Sequence, residues 1–142
     1  MHAAFFSRTG DPSVIEWGEL PDPEPGPGQA RVRTEAVAVD AVDALVRSGR
    51  WSTPLAFPVA VGRDLVGVVD AVGPGVSGLR EGDRVWTSSA GYGGRPGATA
   101  ELVVVDRDRL YGVPDAAGPV AFVASLHPAT TAVAALHLRA GA

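Results

Sequence analysis

The stretch Val59–Trp86, VAVGRDLVGVVDAVGPGVSGLREGDRVW, does most to limit what this chain can fold into. Two short apolar strands flank a glycine-rich turn, and a tight Gly82-Asp83-Arg84-Val85 step leads into the second of them. Strands this short, reversing this sharply, belong to a small β-barrel and not to a helical or doubly wound domain. The 142 residues make one domain, long enough to bury a sizeable core. Its 18 glycines and 12 prolines fit many tight turns, since glycine reaches positive φ and proline presets turn geometry.

Charge and residue usage exclude several classes of function. A net charge of -4 without a basic cluster argues against nucleic acid and against anionic membrane surfaces. Cysteine is absent, which removes disulfides, thiolate nucleophiles and cysteine-held metal centres. The N-terminal apolar run meets polar residues by Ser7, too soon for a signal peptide, and no run approaches the ~20 apolar residues that span a bilayer. A cytoplasmic location is the expectation.

Along the chain, short apolar runs at Ala3–Phe6 and Val14–Leu20 predict strands, and the proline-rich Pro21–Gly28 predicts a rigid connector. Ala30–Val39 alternates as a half-exposed strand and becomes apolar toward its end. Asp40 then caps a short helix, with Asp43 as reciprocal acidic partner, Ala41, Val42, Leu45 and Val46 on one face, and Gly49 as the stop. Leu65–Val72 is a strand in which Gly67 marks a bulge or a close backbone approach, and another runs to Trp86. Thr99–Val105 predicts a further strand, and Asp106–Leu110 a charged turn. Helix is expected over Val120–Leu126, with a second helix starting at Pro128 and running to Arg139. The fold class that follows is mainly β, a partly open barrel with a short internal helix and C-terminal helices, and no βαβ nucleotide fold.

The glycine-rich runs GPGVSG and GYGGRPG match neither GxxxxGK[ST] nor GxGxxG between a strand and a helix, so both read as turns or loops. His2, His127 and His137 are far apart in sequence without i,i+4 pairing, and no metal site is expected from them. GxSxG is absent, which leaves serine-hydrolase chemistry without support.

Five segments in order resemble the N-terminal GroES-like domain of the medium-chain dehydrogenases/reductases, within them the zinc-free quinone oxidoreductase branch: AVAVDAVDALVRSGRW, GRDLVGVVDAVGPGV, GDRV, GATAELVVV with the later VPD, and ASLHPATTAVAAL. The zinc alcohol dehydrogenases place a ligating histidine where this chain has Arg63, followed here by Asp64, and a ligating cysteine near Asp40. Arginine offers a metal no lone pair, so the resemblance implies a metal-free site. Asp40 replaces an asparagine usual in the branch, and an ionised carboxylate accepts but does not donate, unless it is protonated or paired with a cation such as Arg63.

What the resemblance implies is a substrate-side domain of an NAD(P)H-dependent quinone or enone reductase. Asp40 and Arg63 are its candidate catalytic residues, Trp51 and Tyr92 its candidate substrate-binding residues, and Thr131 with Asp40 its candidate cofactor contacts. Each also has a plain structural reading: Asp40 as a helix cap, Trp51 as a core-edge aromatic, Thr131 bonding back to its own turn. Asp43 and Asp64 are expected to hold loops. NADPH is the implied cofactor and a small hydrophobic carbonyl, enone or quinone the implied substrate. On this reading residues 1–126 are the barrel and 127–142 a helix leading to a nucleotide-binding domain supplied by further sequence or by a second chain. A free-standing barrel that binds a ligand, dimerises, or uses Asp40 as an acid or base without redox chemistry stays open. Asp40→Asn separates them, because a reductase tolerates the amide and an acid–base enzyme does not.

Overall fold

The computed structural model describes residues 1–139. Strands β1 (His2–Phe6), β2 (Ile15–Glu19) and β4 (Val59–Ala60) form one sheet in the order β2-β1-β4. The second sheet has the order β7-β3-β5-β6-β8, from β3 (Gln29–Ala38), β5 (Asp64–Val72), β6 (Arg84–Thr87), β7 (Leu102–Asp106) and β8 (Tyr111–Gly112). All the strand pairs described are antiparallel. The sheets are stitched where the 99–101 segment meets both, through Ala4 N–H to Thr99 C=O (2.9 Å) and Thr34 N–H to Glu101 C=O (3.0 Å). The product is the partly open barrel that the turn-rich sequence predicts.

The core lies between the sheets. Ala3, Val32, Leu65, Val69, Val85, Val103 and Leu110 are buried there in one cluster. β5 is buried on both faces along its first half, because Leu65 and Val69 point into the barrel while Val66 lies beneath helix α2 (Pro119–Arg139) with Val113, Val123 and Leu126. A strand covered on both sides reads as the continuous apolar run LVGVV and loses alternation. The proline connector is held by side chains instead of ladder bonds: Arg31 donates to Pro23 C=O (3.2 Å) and to Glu24 (3.1 Å), while its other donors reach Asp70 at 2.7 Å.

Several local expectations change. Val14 lies in a 3-10 turn, Pro12–Val14, that precedes β2. Strands β4 and β8, two residues each, have no periodic signal in the sequence and exist because β1 and β6 supply their partners. Helix α1 (Ala41–Arg47) buries Val46 and Asp43, whereas Ala41 is exposed and not on the packed face. In place of two C-terminal helices there is one, which runs through Pro128. Proline forfeits one helical hydrogen bond and costs about 3 kcal/mol in a helix interior. Packing of Val123 and Leu126 before it and the helix-favouring alanines after it outweigh that cost. The stretch Pro119–His137 is also long and apolar enough to cross a membrane by length and composition, against the expectation that no run approaches that length. Val123 and Leu126 are spent on the sheet, which favours a helix packed on protein.

Gly67 confirms the close approach. A Cβ there would sit 2.3 Å from the Arg33 carbonyl oxygen, beside the bulge that offsets the β3–β5 register between Thr34 and Ala36. Because that neighbour is backbone in the central strand pair, it cannot rotate away. Gly67→Ala is expected to destabilise the fold by about 3 kcal/mol, the upper end for overpacking, as a lower urea midpoint at unchanged slope. A midpoint within error of the parent would show that the sheet yields at this position.

Candidate functional site

The end of β3, the start of β5 and helix α1 meet at one end of the barrel, so Asp40, Asp43, Arg63 and Asp64 come together although the sequence separates them. Asp40 is the α1 N-cap, and the Asp43 carboxylate reaches back to accept the Asp40 backbone N–H at 2.7 Å. Arg63 Nε lies 3.5 Å from Asp43 Oδ1, with both side chains buried. The cation suggested for Asp40 is therefore spent on Asp43. Burial is the main cause that raises the Asp43 pKa above the ordinary carboxylate value, with the Asp40 N–H and Arg63 pulling the other way.

Asp64 is completely buried. Its Oδ1 accepts the Ser89 N–H at 3.1 Å, which fixes Ser89 in the left-handed region at φ 60°, a conformation that costs a non-glycine residue about 1 kcal/mol or more. The loop 88–97 continues from there across the irregular 51–54 segment, with Gly93 N–H on Thr53 Oγ1 (2.9 Å) and Gly94 N–H on Pro54 C=O (3.0 Å). Gly97 fits because a Cβ would stand 1.7 Å from the Ala60 carbonyl oxygen. Asp43 ties the start of α1 and Asp64 holds the 88–97 loop.

His127 is the residue that sequence reasoning missed. Helix α2 carries it to Asp40 and Asp64, and one donor atom from each of the three lies within 4.8 Å of the others. Asp40 Oδ2 and Asp64 Oδ2 are buried and have no hydrogen-bond partner. Two carboxylates and an imidazole in that proximity form a donor set that a divalent cation or a shared proton can satisfy. The sequence led to no expectation of a metal site at the histidines, and for His127 folding supplies the neighbouring carboxylates that such a site would need. Nothing in the local sequence signals it, because the pairing spans the whole barrel.

A cavity of about 440 Å³ opens beside this cluster, and Trp51, Tyr92, Arg63 and His127 line it together with Arg95 and Arg109. Trp51 and Tyr92 are 48% and 36% exposed, so both rings are available to a ligand rather than serving as core aromatics. Thr131 is exposed, outside the residues lining this cavity, and donates its hydroxyl to the His127 carbonyl at 3.0 Å, the back-bonded state that sequence reading left open. Asp40, Arg63, Trp51 and Tyr92 therefore share one neighbourhood, and Thr131 stands one turn along α2 from it.

The alcohol dehydrogenase GroES-like domain matches residues 26–115, well over half of the chain. The chain belongs to this family. Among relatives of this GroES-like domain, the quinone oxidoreductase of Lama guanicoe is 36% identical over 115 residues, which is 80% of this chain and 34% of that protein. A mycobacterial protein solved in complex with NADPH superposes at a TM-score of 0.85 with 33% identity, covering 96% of this chain and 41% of that one. A quinone oxidoreductase of Pseudomonas syringae superposes at 0.87 with 29% identity, covering 96% and 40%. The chain thus spans about a third of the length of the curated relatives it matches, and their nucleotide-binding Rossmann domain is not within it.

Burial, with the Asp40 carboxylate adding to it, raises the Asp64 pKa above the ordinary carboxylate value of 3.8, while the Ser89 N–H, His127 and Arg63 oppose the shift. A carboxyl whose folded pKa is raised costs stability once pH rises above its unfolded value, because folding then opposes ionisation. Asp64→Asn keeps an oxygen for the Ser89 N–H and removes that cost. The variant should gain stability over the parent at pH 7 and lose the advantage at pH 3.5, read as paired urea midpoints. An advantage equal at both pH values would mean that Asp64 is not ionised at a cost in the fold.

Proposed function

We propose that this chain is the acceptor-side wall of a metal-free NADPH-dependent quinone or enone reductase, completed by a nucleotide-binding domain outside these residues. The observation that carries the reading is the cavity where Trp51, Tyr92, Arg63 and His127 converge, in a domain whose relatives are quinone oxidoreductases. Helix α2 supports it further. Beyond Leu126 its side chains through His137 are largely exposed, Val133 at 54% and Leu136 at 65%, as suits a helix that leads into a second domain. Residues 1–126 then act as the barrel and 127–142 as the crossing, of which 140–142 lie outside the described residues.

Fit to the cofactor divides at this boundary. Among the described residues every strand pair is antiparallel, so no βαβ turn is present to cradle a pyrophosphate. Asp40 and Thr131 are the residues that would hold the nicotinamide end: an ionised Asp40 can accept a carboxamide N–H, and Thr131 can turn its hydroxyl from the helix. Bound NADPH would supply the hydride. This chain's own residues orient a flat acceptor between Trp51 and Tyr92, exclude water with the 88–97 loop, and meet the developing oxyanion with the Arg63 charge. Conjugated acceptors suit such a site, because no Lewis acid is needed to polarise them. The protein then works in the cytoplasm on a small hydrophobic carbonyl, enone or quinone.

The Asp40–Asp64–His127 donor set favours a second reading, in which a divalent cation sits there. Chelation separates the two. With a nucleotide-binding partner chain supplied, NADPH oxidation by 1,4-naphthoquinone should survive EDTA dialysis, fall about 100-fold in Arg63→Gln, and persist in Asp40→Asn. Activity lost to EDTA and restored by zinc would overturn the metal-free assignment, and loss in Asp40→Asn would favour acid–base chemistry. Stoichiometric tight binding of NADPH by the 142-residue chain alone would overturn the proposed division of the cofactor site.

A further inference from the structure

The cavity gathers three arginines. Arg63, Arg95 and Arg109 line it together with Trp51, Tyr92 and His127, and no carboxylate is among its described lining residues. Each guanidinium is held in place by a few contacts that leave other donors unused. Arg95 Nε donates to the Ser89 carbonyl at 2.9 Å, and its guanidinium carbon stands 5.6 Å from the Tyr92 ring centre. Arg109 donates one bond to the Ser88 carbonyl, also at 2.9 Å. Arg63 is buried, and its Nε has no hydrogen-bond partner despite the nearby Asp43.

Counter-charges adjoin the cavity without lining it: Asp40 and Asp64 stand beside His127 at one edge. Asp43 serves Arg63, whereas Asp106 accepts from Gln29 at 2.9 Å and faces the adjoining cavity that Arg95 and Arg109 also line. Burial, and then the like charges of Arg109 and Arg63, lower the Arg95 pKa from the ordinary arginine value, so the cluster is held together against its own repulsion. Arginine presents five donors in a planar fork that matches a carboxylate in bidentate fashion, and such bonds are about twice as strong as neutral ones. Flat aromatic walls beside such forks suit an unsaturated or aromatic body attached to that carboxylate.

We propose that the acceptor bound in this cleft is an unsaturated carboxylate, its anionic group seated among Arg63, Arg95 and Arg109 and its apolar body between Trp51 and Tyr92. This rests on the reading of the cleft as an acceptor site and ranks a conjugated acid above neutral quinones and enones as its ligand. Pairing the carboxylate with arginines would bring its electron withdrawal from the conjugated bond toward that of an ester, which needs no such help.

The test uses the 142-residue chain and needs no cofactor. Titration of trans-cinnamate followed by amide NMR should shift Ser89, Tyr92, Arg95 and the Trp51 indole. The acid should bind about tenfold tighter than methyl cinnamate, and lose that preference as salt rises. Arg95→Gln and Arg109→Gln, made separately so that one disturbed loop does not decide the outcome, should each weaken cinnamate about 5–10-fold and leave the ester unchanged. Equal binding of acid and ester, or cinnamate binding indifferent to both variants, would overturn the proposal. Tighter binding of inorganic phosphate at the same amides would assign the arginines to a phosphate group, and overturn it too. Reduction of naphthoquinone by the reconstituted enzyme without cinnamate binding would sink this inference and leave the reductase reading standing. Cinnamate binding without any hydride transfer would do the reverse.

Discussion

A completely buried carboxylate organises the functional end of this barrel. Asp64 opens β5, has no exposure to solvent, and spends one oxygen on the Ser89 N–H while the other stays unpartnered beside Asp40 and His127. Burying a charge of this kind costs several kcal/mol unless hydrogen bonds and nearby cations offset it. That cost is tolerated because one side chain holds three pieces in place. It fixes the left-handed turn at Ser89, and through it the loop whose carbonyls aim Arg95 and Arg109. It also faces the helix that brings His127 to the cleft.

Around this group the charges sort themselves into pairs and an unpaired remainder. Arg63 and Asp43 form a buried pair that ties β5 to α1. Removing either partner would strand a charge in low dielectric, so the pair is better understood as a positioning device than as a source of stability. Arg95 and Arg109 have no carboxylate partner among the described contacts; each donates to a backbone carbonyl, and Arg95 also stands over the Tyr92 ring. The cleft consequently combines an apolar, aromatic wall with a positive floor and a small acidic cluster at one side.

The outer face of the barrel has its own logic. β5 is apolar on both sides because the core lies beneath Leu65 and Val69 and α2 lies over Val66. The helix therefore docks by its first two turns and continues past Pro128 with its apolar side chains in solvent. Val133 and Leu136 leave this part of the helix with exposed apolar side chains.

Much of this was legible from residue order alone. Alternation and glycine-rich turns fix the antiparallel strands, Gly67 declares the tight crossing of β3 and β5, and the Asp40–Asp43 spacing with Gly49 delimits α1. Arginine at position 63, a side chain that offers a metal no lone pair, is likewise local information. Sequence could not reveal β4 and β8, which two residues cannot encode without a partner strand, nor the unbroken passage of α2 through Pro128, which packing and propensity decide jointly. Least of all could it assemble His127 with Asp40 and Asp64, or Arg63 with Arg95 and Arg109. Local propensity and hydrophobic period act over a few residues, whereas a site is made by side chains tens of residues apart. Only closure of the barrel brings those together.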